Sequence, residues 1–161
     1  MNVPVPQPAI PSGNSDISGF SVTEPVKSGH VTYTVKGFDD EGEFTASRRY
    51  NDFYALRENL EKHWPGVYIP PIPPKKSTGN KEDAFIEDRL VFLDRFMKQM
   101  AKQNSLINSD IFKAFSRQAG DIEKILATHP KPTPELIVEG YKTKLFVDEF
   151  PDEYLVKQSR E

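Results

Sequence analysis

The sequence predicts an α+β fold: a three-stranded antiparallel β-sheet packed against a helical subdomain, with a polyproline II segment between the first and second helices. Three observations predict it. Short runs of β-branched and aromatic residues fill positions 17–50, helical periodicity takes over after Tyr50, and Ile69-Pro70-Pro71-Ile72-Pro73-Pro74-Lys75-Lys76 sets four prolines in five positions between the first two helical stretches. A chain of 161 residues with eleven Phe and six Tyr has the length and apolar bulk for one ordinary domain with flanks.

Residues 1–16 hold Pro4, Pro6, Pro8 and Pro11 and no aromatic residue, a composition that cannot offset its ordering entropy by burial, and are read as a disordered leader. Then GFSVTEPVKS, HVTYTVKGF and EFTASRRY, separated by Ser28-Gly29 and by Asp39-Asp40-Glu41-Gly42, read as three strands joined by two tight turns. In the middle run Val31, Tyr33 and Val35 alternate with Thr32, Thr34 and Lys36, the period of a strand with one face on a core. After Tyr50, Asn51 or Asp52 serves as a cap, and Phe53, Leu56, Arg57 and Leu60 recur at helical spacing up to His63-Trp64-Pro65-Gly66. The proline run excludes helix and central strand and imposes an extended segment. Lys75 to Asp83 is polar and reads as an exposed loop.

A second helix is expected over about Ala84 to Lys102, a turn over Leu106 to Ser109, and a short third helix with Ile111, Phe112 and Phe115, capped by Ser109 or Asp110 and ending near Gly120. The domain is thus placed at 17–120. Residues 121–161 form a C-terminal extension, helical in part: Ile122, Ile125 and Leu126 suggest one turn, and Thr133-Pro134 an N-cap with proline at the first helical position. This extension either packs on the domain or begins a truncated neighbour.

Charge narrows the function. The 24 acidic and 21 basic residues give a net charge of -3, which argues against a nucleic-acid or other polyanion binder held by a diffuse basic surface. Residues 1–120 carry 15 Lys/Arg against 15 Asp/Glu, and residues 121–161 carry 6 against 9, so the excess acid belongs to the extension. The absence of cysteine removes disulfides, thiolate catalysis and Cys-based metal sites. No stretch reaches the roughly 18 apolar residues of a membrane span, so membrane contact is expected to be peripheral. His30, His63 and His129 lack metal-like spacing, and no P-loop, dinucleotide fingerprint or nucleophile elbow is present. The chain is read as a non-enzyme without metal or cofactor.

One charge is out of place. On the second helix Ile86, Leu90, Leu93, Met97 and Met100 share an arc, Phe85, Phe92 and Phe96 extend one of its edges, and Arg89 falls inside it. A guanidinium aimed at the core side needs an anionic partner, because leaving it unpaired would cost several kcal/mol. The partner is either an internal carboxylate, Asp52 being the candidate, or a phosphate or polyol in a cleft. Arg48 and Arg49, adjacent at a strand end, must point to opposite faces. Tyr50 follows Arg49, and Lys75 emerges from the stiff proline segment.

The order Arg-Arg-Tyr-Asn-Asp-Phe-Tyr-Ala-Leu, then Pro-Pro-Ile-Pro-Pro-Lys, then Phe-Ile-Glu-Asp-Arg opening a helix resembles the Phox-homology (PX) domain of sorting nexins, over about residues 17–118. The resemblance implies the same sheet-plus-helices fold and recognition of phosphatidylinositol 3-phosphate in a basic cleft. By position, Arg49 would clamp the 3-phosphate, Tyr50 would lay its ring against the inositol, Lys75 would contact the 1-phosphate, and Arg89 would reach the 4- and 5-hydroxyls. Arg48 matches a family arginine expected to be more structural than ligand-binding, and Arg48, Lys76 and Lys81 are named as supplementary membrane contacts. At an effective dielectric near 20, a charge pair about 4 Å apart contributes on the order of 4 kcal/mol before desolvation, so a few converging cations outweigh a missing global field. The loop KKSTGNKED departs from the family habit of carrying apolar residues there. Its lysines add about 1 kcal/mol each near an anionic leaflet. Membrane affinity of the single domain is therefore expected to be weak and raised by avidity.

The resemblance further implies peripheral attachment to the cytosolic face of early endosomes, a role in protein sorting, cargo or coat partners, and dimerisation through regions outside the domain. Two protein-interaction readings compete. Pro70 to Lys75 contains the PxxP-x-basic pattern of an SH3 ligand, and a PX domain can also serve chiefly to bind cargo, with weak lipid affinity.

Overall fold

The computed structural model describes residues 19–75 and 82–144. The expected leader, the loop residues Lys76 and Lys81, and the end of the extension lie outside them. Strands β1 (Ser21–Ser28), β2 (His30–Asp39) and β3 (Gly42–Arg49) form one antiparallel sheet in the order β1-β2-β3. Gly29 (φ 71) and Gly42 (φ 107) take the left-handed backbone that the two tight turns demand. The β1–β2 register shifts between Thr23 and Val26, and at this bulge Glu24 adopts φ 53 immediately before Pro25. In β2, Tyr33, Val35 and Gly37 are buried in alternation with less buried neighbours. Gly37 has no substitute, because a Cβ there would lie 2.7 Å from the Phe20 ring and 2.9 Å from that of Phe44.

The helices are α1 (Tyr50–His63), α2 (Asp83–Met100), α3 (Asn104–Ile107), α4 (Asp110–Arg117), α5 (Ile122–Thr128) and α6 (Pro134–Lys144). Between α1 and α2 the described part of the proline segment forms neither helix nor strand. Arg57 of α1 donates to the Pro70 carbonyl at 2.9 Å, which ties this segment down.

Three local expectations are corrected. Neither Asn51 nor Asp52 is the N-cap of α1; Arg49 is, and the Asp52 carboxylate, three residues inside, accepts the Arg49 backbone N–H at 2.7 Å. The turn expected at Leu106–Ser109 begins inside a short helix, α3, whose last two residues are Leu106 and Ile107. On α2, Phe96 joins the buried face while Phe92 is 48% exposed, because the buried arc is centred on Leu93 and Met97. Ser109, one of the two expected caps of α4, does accept the Phe112 N–H.

The core lies between the sheet and the helices. Phe20, just before β1, and Phe44 of β3 meet Phe112 of α4 at centroid distances of 6.2 and 5.9 Å, and Phe53 of α1 meets Phe115 at 5.1 Å and Phe96 at 6.4 Å. Such edge and tilted contacts add about 0.5–1.5 kcal/mol per pair beyond area burial. α2 packs along the outer strand, where Asp94 accepts the Val22 N–H at 2.9 Å. At the far end Arg117 of α4 forks onto buried Asp39, and Lys113 bridges Asp40 and Glu41 at 2.8 and 3.0 Å. α5 is anchored by the fully buried Ile122 and Leu126. Just before α6, Thr133 accepts the Leu136 N–H at 3.3 Å, while Tyr141 within it donates to the Pro65 carbonyl and stands edge-on to Trp64 at 5.9 Å.

Candidate functional site

The start of α1 collects the residues singled out in the sequence. Arg48, next to last in β3, faces inward and so is not the membrane contact expected of it. It is buried, and it donates to the carbonyls of Phe115 (2.5 Å), Ser47 (2.8 Å) and Gln118 (2.6 Å) while its guanidinium lies 5.7 Å from the Phe115 ring. Burial lowers its pKa, against the charge of Asp52, yet a guanidinium stays charged. Arg48 therefore knits β3 to the end of α4. Arg49, one residue on, points the other way with a third of its side chain exposed, its Nη2 lying 3.7 Å from Asp52 and 3.9 Å from Glu123 of α5.

Tyr50 opens α1 and is buried; its hydroxyl donates to the Pro73 carbonyl, pinning the proline segment against the helix. The guanidinium of Arg89 lies 3.9 Å above the Tyr50 ring and 4.3 Å from the ring of Phe85, one turn back on α2. One turn along α1, Tyr54 lies 6.4 Å from Tyr50 and carries the ammonium of Lys75 at 3.9 Å over its ring. Arg49, Tyr50, Lys75 and Arg89 thus gather around the first two turns of α1. The helix's own N-terminus adds a partial positive charge there.

The electrostatics are unusual for a core. Arg89 is only 7% exposed, its Nε has no hydrogen-bond partner, and no carboxylate pairs with it among the described residues. The internal partner considered for it, Asp52, is committed elsewhere: one oxygen takes the Arg49 N–H and the other faces the Arg49 guanidinium. The Tyr33 hydroxyl is also buried and has no hydrogen bond of good geometry, and burial raises its pKa against the charge and the loosely placed donors of nearby Arg89. Tyr50 is raised for the same reason, again opposed by Arg89. A cation stacked on rings keeps part of the stabilisation that water would give, about 2 kcal/mol when desolvated, while leaving its N–H donors open.

Sequence reasoning missed Tyr54 and Phe85, which carry Lys75 and Arg89. The signal was present as spacing: Tyr54 follows Tyr50 by four residues, and Phe85 precedes Arg89 by four, each pair on one helix face. Glu123 had no such signal, because the approach of α5 to Arg49 is tertiary. The proposed SH3 ligand meets an obstacle, since Pro70 is buried and its carbonyl is taken by Arg57. Among the described residues no helix is long and apolar enough to cross a membrane, and no group of His, Asp or Glu is placed to hold a metal ion.

Comparison with known proteins agrees with this architecture. Human sorting nexin-7 is 36% identical over 112 residues, covering 66% of this chain and 28% of that protein. Vacuolar protein sorting-associated protein vps5 of Schizosaccharomyces pombe is 36% identical over 101 residues, covering 59% of this chain and 17% of its own length. The chain therefore spans less than a third of either relative. An X-ray structure of a designed CISK-PX domain superposes with a TM-score of 0.53 at 28% identity, covering 62% of this chain and 98% of the designed one. The family model described as "PX domain" matches residues 36–118, which include the end of β2, all of β3, the proline segment and helices α1 to α4. With just over half of its 161 residues in that match, the chain belongs to the PX domain family.

Proposed function

We propose that this domain recognises phosphatidylinositol 3-phosphate and brings the protein that carries it to the cytosolic face of early endosomes, as a binding module for protein sorting rather than an enzyme. One observation carries the reading: Arg89 is buried, stacked between Tyr50 and Phe85, and lacks an internal anion among the described residues. Such a group is costly unless something outside the chain completes it. Arg49 and Lys75 converge on the same two turns of α1, so the ligand implied is a compact polyanion with hydroxyls, as an inositol phosphate is. In this reading Arg49 grips the 3-phosphate as a fork, Tyr50 supports the ring, Lys75 meets the 1-phosphate, and Arg89 takes the 4- and 5-hydroxyls. Lys76 and Lys81 add contacts to the leaflet. Dimerisation and cargo or coat binding would come from parts of the protein beyond this domain.

The test is a liposome panel carrying each phosphoinositide in turn, with wild type and Arg49→Ala. Recruitment by phosphatidylinositol 3-phosphate well above phosphatidylserine at matched charge, lost in Arg49→Ala, is expected. Equal recruitment by the two lipids overturns the reading and turns attention to protein ligands.

A further inference from the structure

The acids around Arg49 come from two directions. Asp52 belongs to α1, whereas Asp121 and Glu123 come with α5, which begins just past the PX-matched segment. α5 is held firmly against the domain: Ile122 and Leu126 are fully buried, and Asp121 caps the helix by accepting the Lys124 N–H at 3.2 Å. With Ile122 pinned and the cap in place, Glu123 is carried to Arg49, its Oε2 lying 3.9 Å from Nη2. Nη2 is also 3.7 Å from Asp52. Both distances exceed those of hydrogen bonds, so the guanidinium is attracted to these carboxylates without spending its donors on them. Asp121 feels the same charge: its carboxyl is held below the ordinary value chiefly by the Lys124 N–H, with Arg49 adding a smaller pull.

We infer that Glu123 is an internal competitor for phosphate at Arg49: it holds the guanidinium in the lipid-free protein and lowers the affinity of the site for an anionic headgroup. This rests on the reading of Arg49 as a phosphate ligand. When phosphate arrives, the carboxylate must lose its partner and then stand beside a like charge, and both effects weaken binding. Exposed pairs of this kind typically contribute about 0.2–1 kcal/mol, so Glu123→Gln, which keeps the side chain's shape, is expected to tighten binding by about 1.4- to fivefold.

The experiment is a double-mutant cycle on phosphatidylinositol 3-phosphate liposomes, with wild type, Glu123→Gln, Arg49→Lys and the double variant. Glu43→Gln serves as the charge control; it lies at the other end of β3 from Arg49, about 20 Å away at 3.3 Å per residue. The expected result is tighter binding by Glu123→Gln, a smaller gain in the Arg49→Lys background, and none from Glu43→Gln. No gain, an undiminished gain with Arg49→Lys, or an equal gain from Glu43→Gln overturns the inference while leaving Arg49-dependent lipid binding intact. If no variant prefers phosphatidylinositol 3-phosphate to phosphatidylserine, the reading of the site itself fails and the inference falls with it.

Discussion

Two clusters of charge lie at opposite ends of β3, and they are built on opposite rules. At the β2–β3 turn every cation meets carboxylate: Arg117 forks onto Asp39 and also reaches the Gly42 carbonyl at 2.8 Å, and Lys113 bridges Asp40 and Glu41. At the start of α1 the cations Arg89 and Lys75 lie on the rings of Tyr50, Phe85 and Tyr54. The first cluster is closed upon itself and fastens α4 to the sheet. The second is held in place by aromatic surface that neutralises nothing, so its charge stays available. What separates the two clusters is how fully the chain supplies the counter-charge, not how many charges each gathers: at the start of α1 only Arg49 meets carboxylates, Asp52 and Glu123, and both lie beyond hydrogen-bond distance.

The neighbours Arg48 and Arg49 give the sharpest way to break that contrast. Arg48→Ala removes donors from three carbonyls, two of them near the end of α4, and is expected to lower the unfolding free energy by about 3 kcal/mol in urea titrations. Arg49→Ala should shift the same titration by less than about 1 kcal/mol, since only long, partly exposed ion pairs are lost. If the two changes destabilise equally, the division between structural and ligand arginine is wrong.

Arg89→Met tests the ring-stacked cluster against the ion-paired one. A methionine fills similar space without charge, so stability is expected to be kept or raised, while affinity for phosphatidylinositol 3-phosphate liposomes falls at least about tenfold, the value of one charge-assisted contact. A stability loss of several kcal/mol would instead mean that Arg89 has an internal partner. Tyr54→Leu should act more gently. Removing the ring under Lys75 forfeits about 0.5–1 kcal/mol of cation–π attraction, expected as a two- to fivefold weaker lipid affinity with fold stability nearly unchanged.

The smallest effect expected is in acid, and its sign differs between the clusters. Burial opposes ionisation of Asp39, but the Arg117 hydrogen bonds and the Glu41 N–H outweigh it and hold the carboxyl below its ordinary 3.8. At Asp52 burial wins over the Arg49 N–H and the charges of Arg49 and Arg48, and the carboxyl is raised above 3.8. By linkage, Asp39 contributes stability that is present above 3.8 and lost as pH falls through its depressed folded value. Asp52 does the reverse, its buried charge being a burden relieved as pH falls through the raised value toward 3.8. Stability measured from pH 6 to 3 should therefore lose part of its acid decline in Asp39→Asn and decline earlier in Asp52→Asn. Parallel curves for the two variants would erase the distinction.

Much of this was legible because it is written in periodicity and punctuation. The alternation through Tyr33 and Val35, the arc through Leu93 and Met97, and the turns at Gly29 and Gly42 each depend on a few adjacent residues. The odd placement of Arg89 was visible for the same reason, as a breach of a local pattern. The cap of α1 was misplaced because Asp52 works backwards from the third helical position, which favours no single residue as the boundary. Phe92 and Phe96 were not separable by type, and only the tertiary packing of α2, which sets Phe96 against Phe53 of α1, decides which of them is covered. Glu123 and the Arg117–Asp39 fork join residues 74 and 78 positions apart, and no spacing rule reaches that far.

The irregularity in β1 bears on how the protein survives its own synthesis. A sheet of three strands has two open rims, and a rim with a regular row of amides invites another chain to add itself and begin an aggregate. Along β1 the row is interrupted: Val22 has given its N–H to Asp94, Glu24 turns the backbone out of line, and Pro25 has no N–H to offer. Straightening this segment with Pro25→Val and a regular register is a route to a stickier protein, one whose copies would associate through their strands.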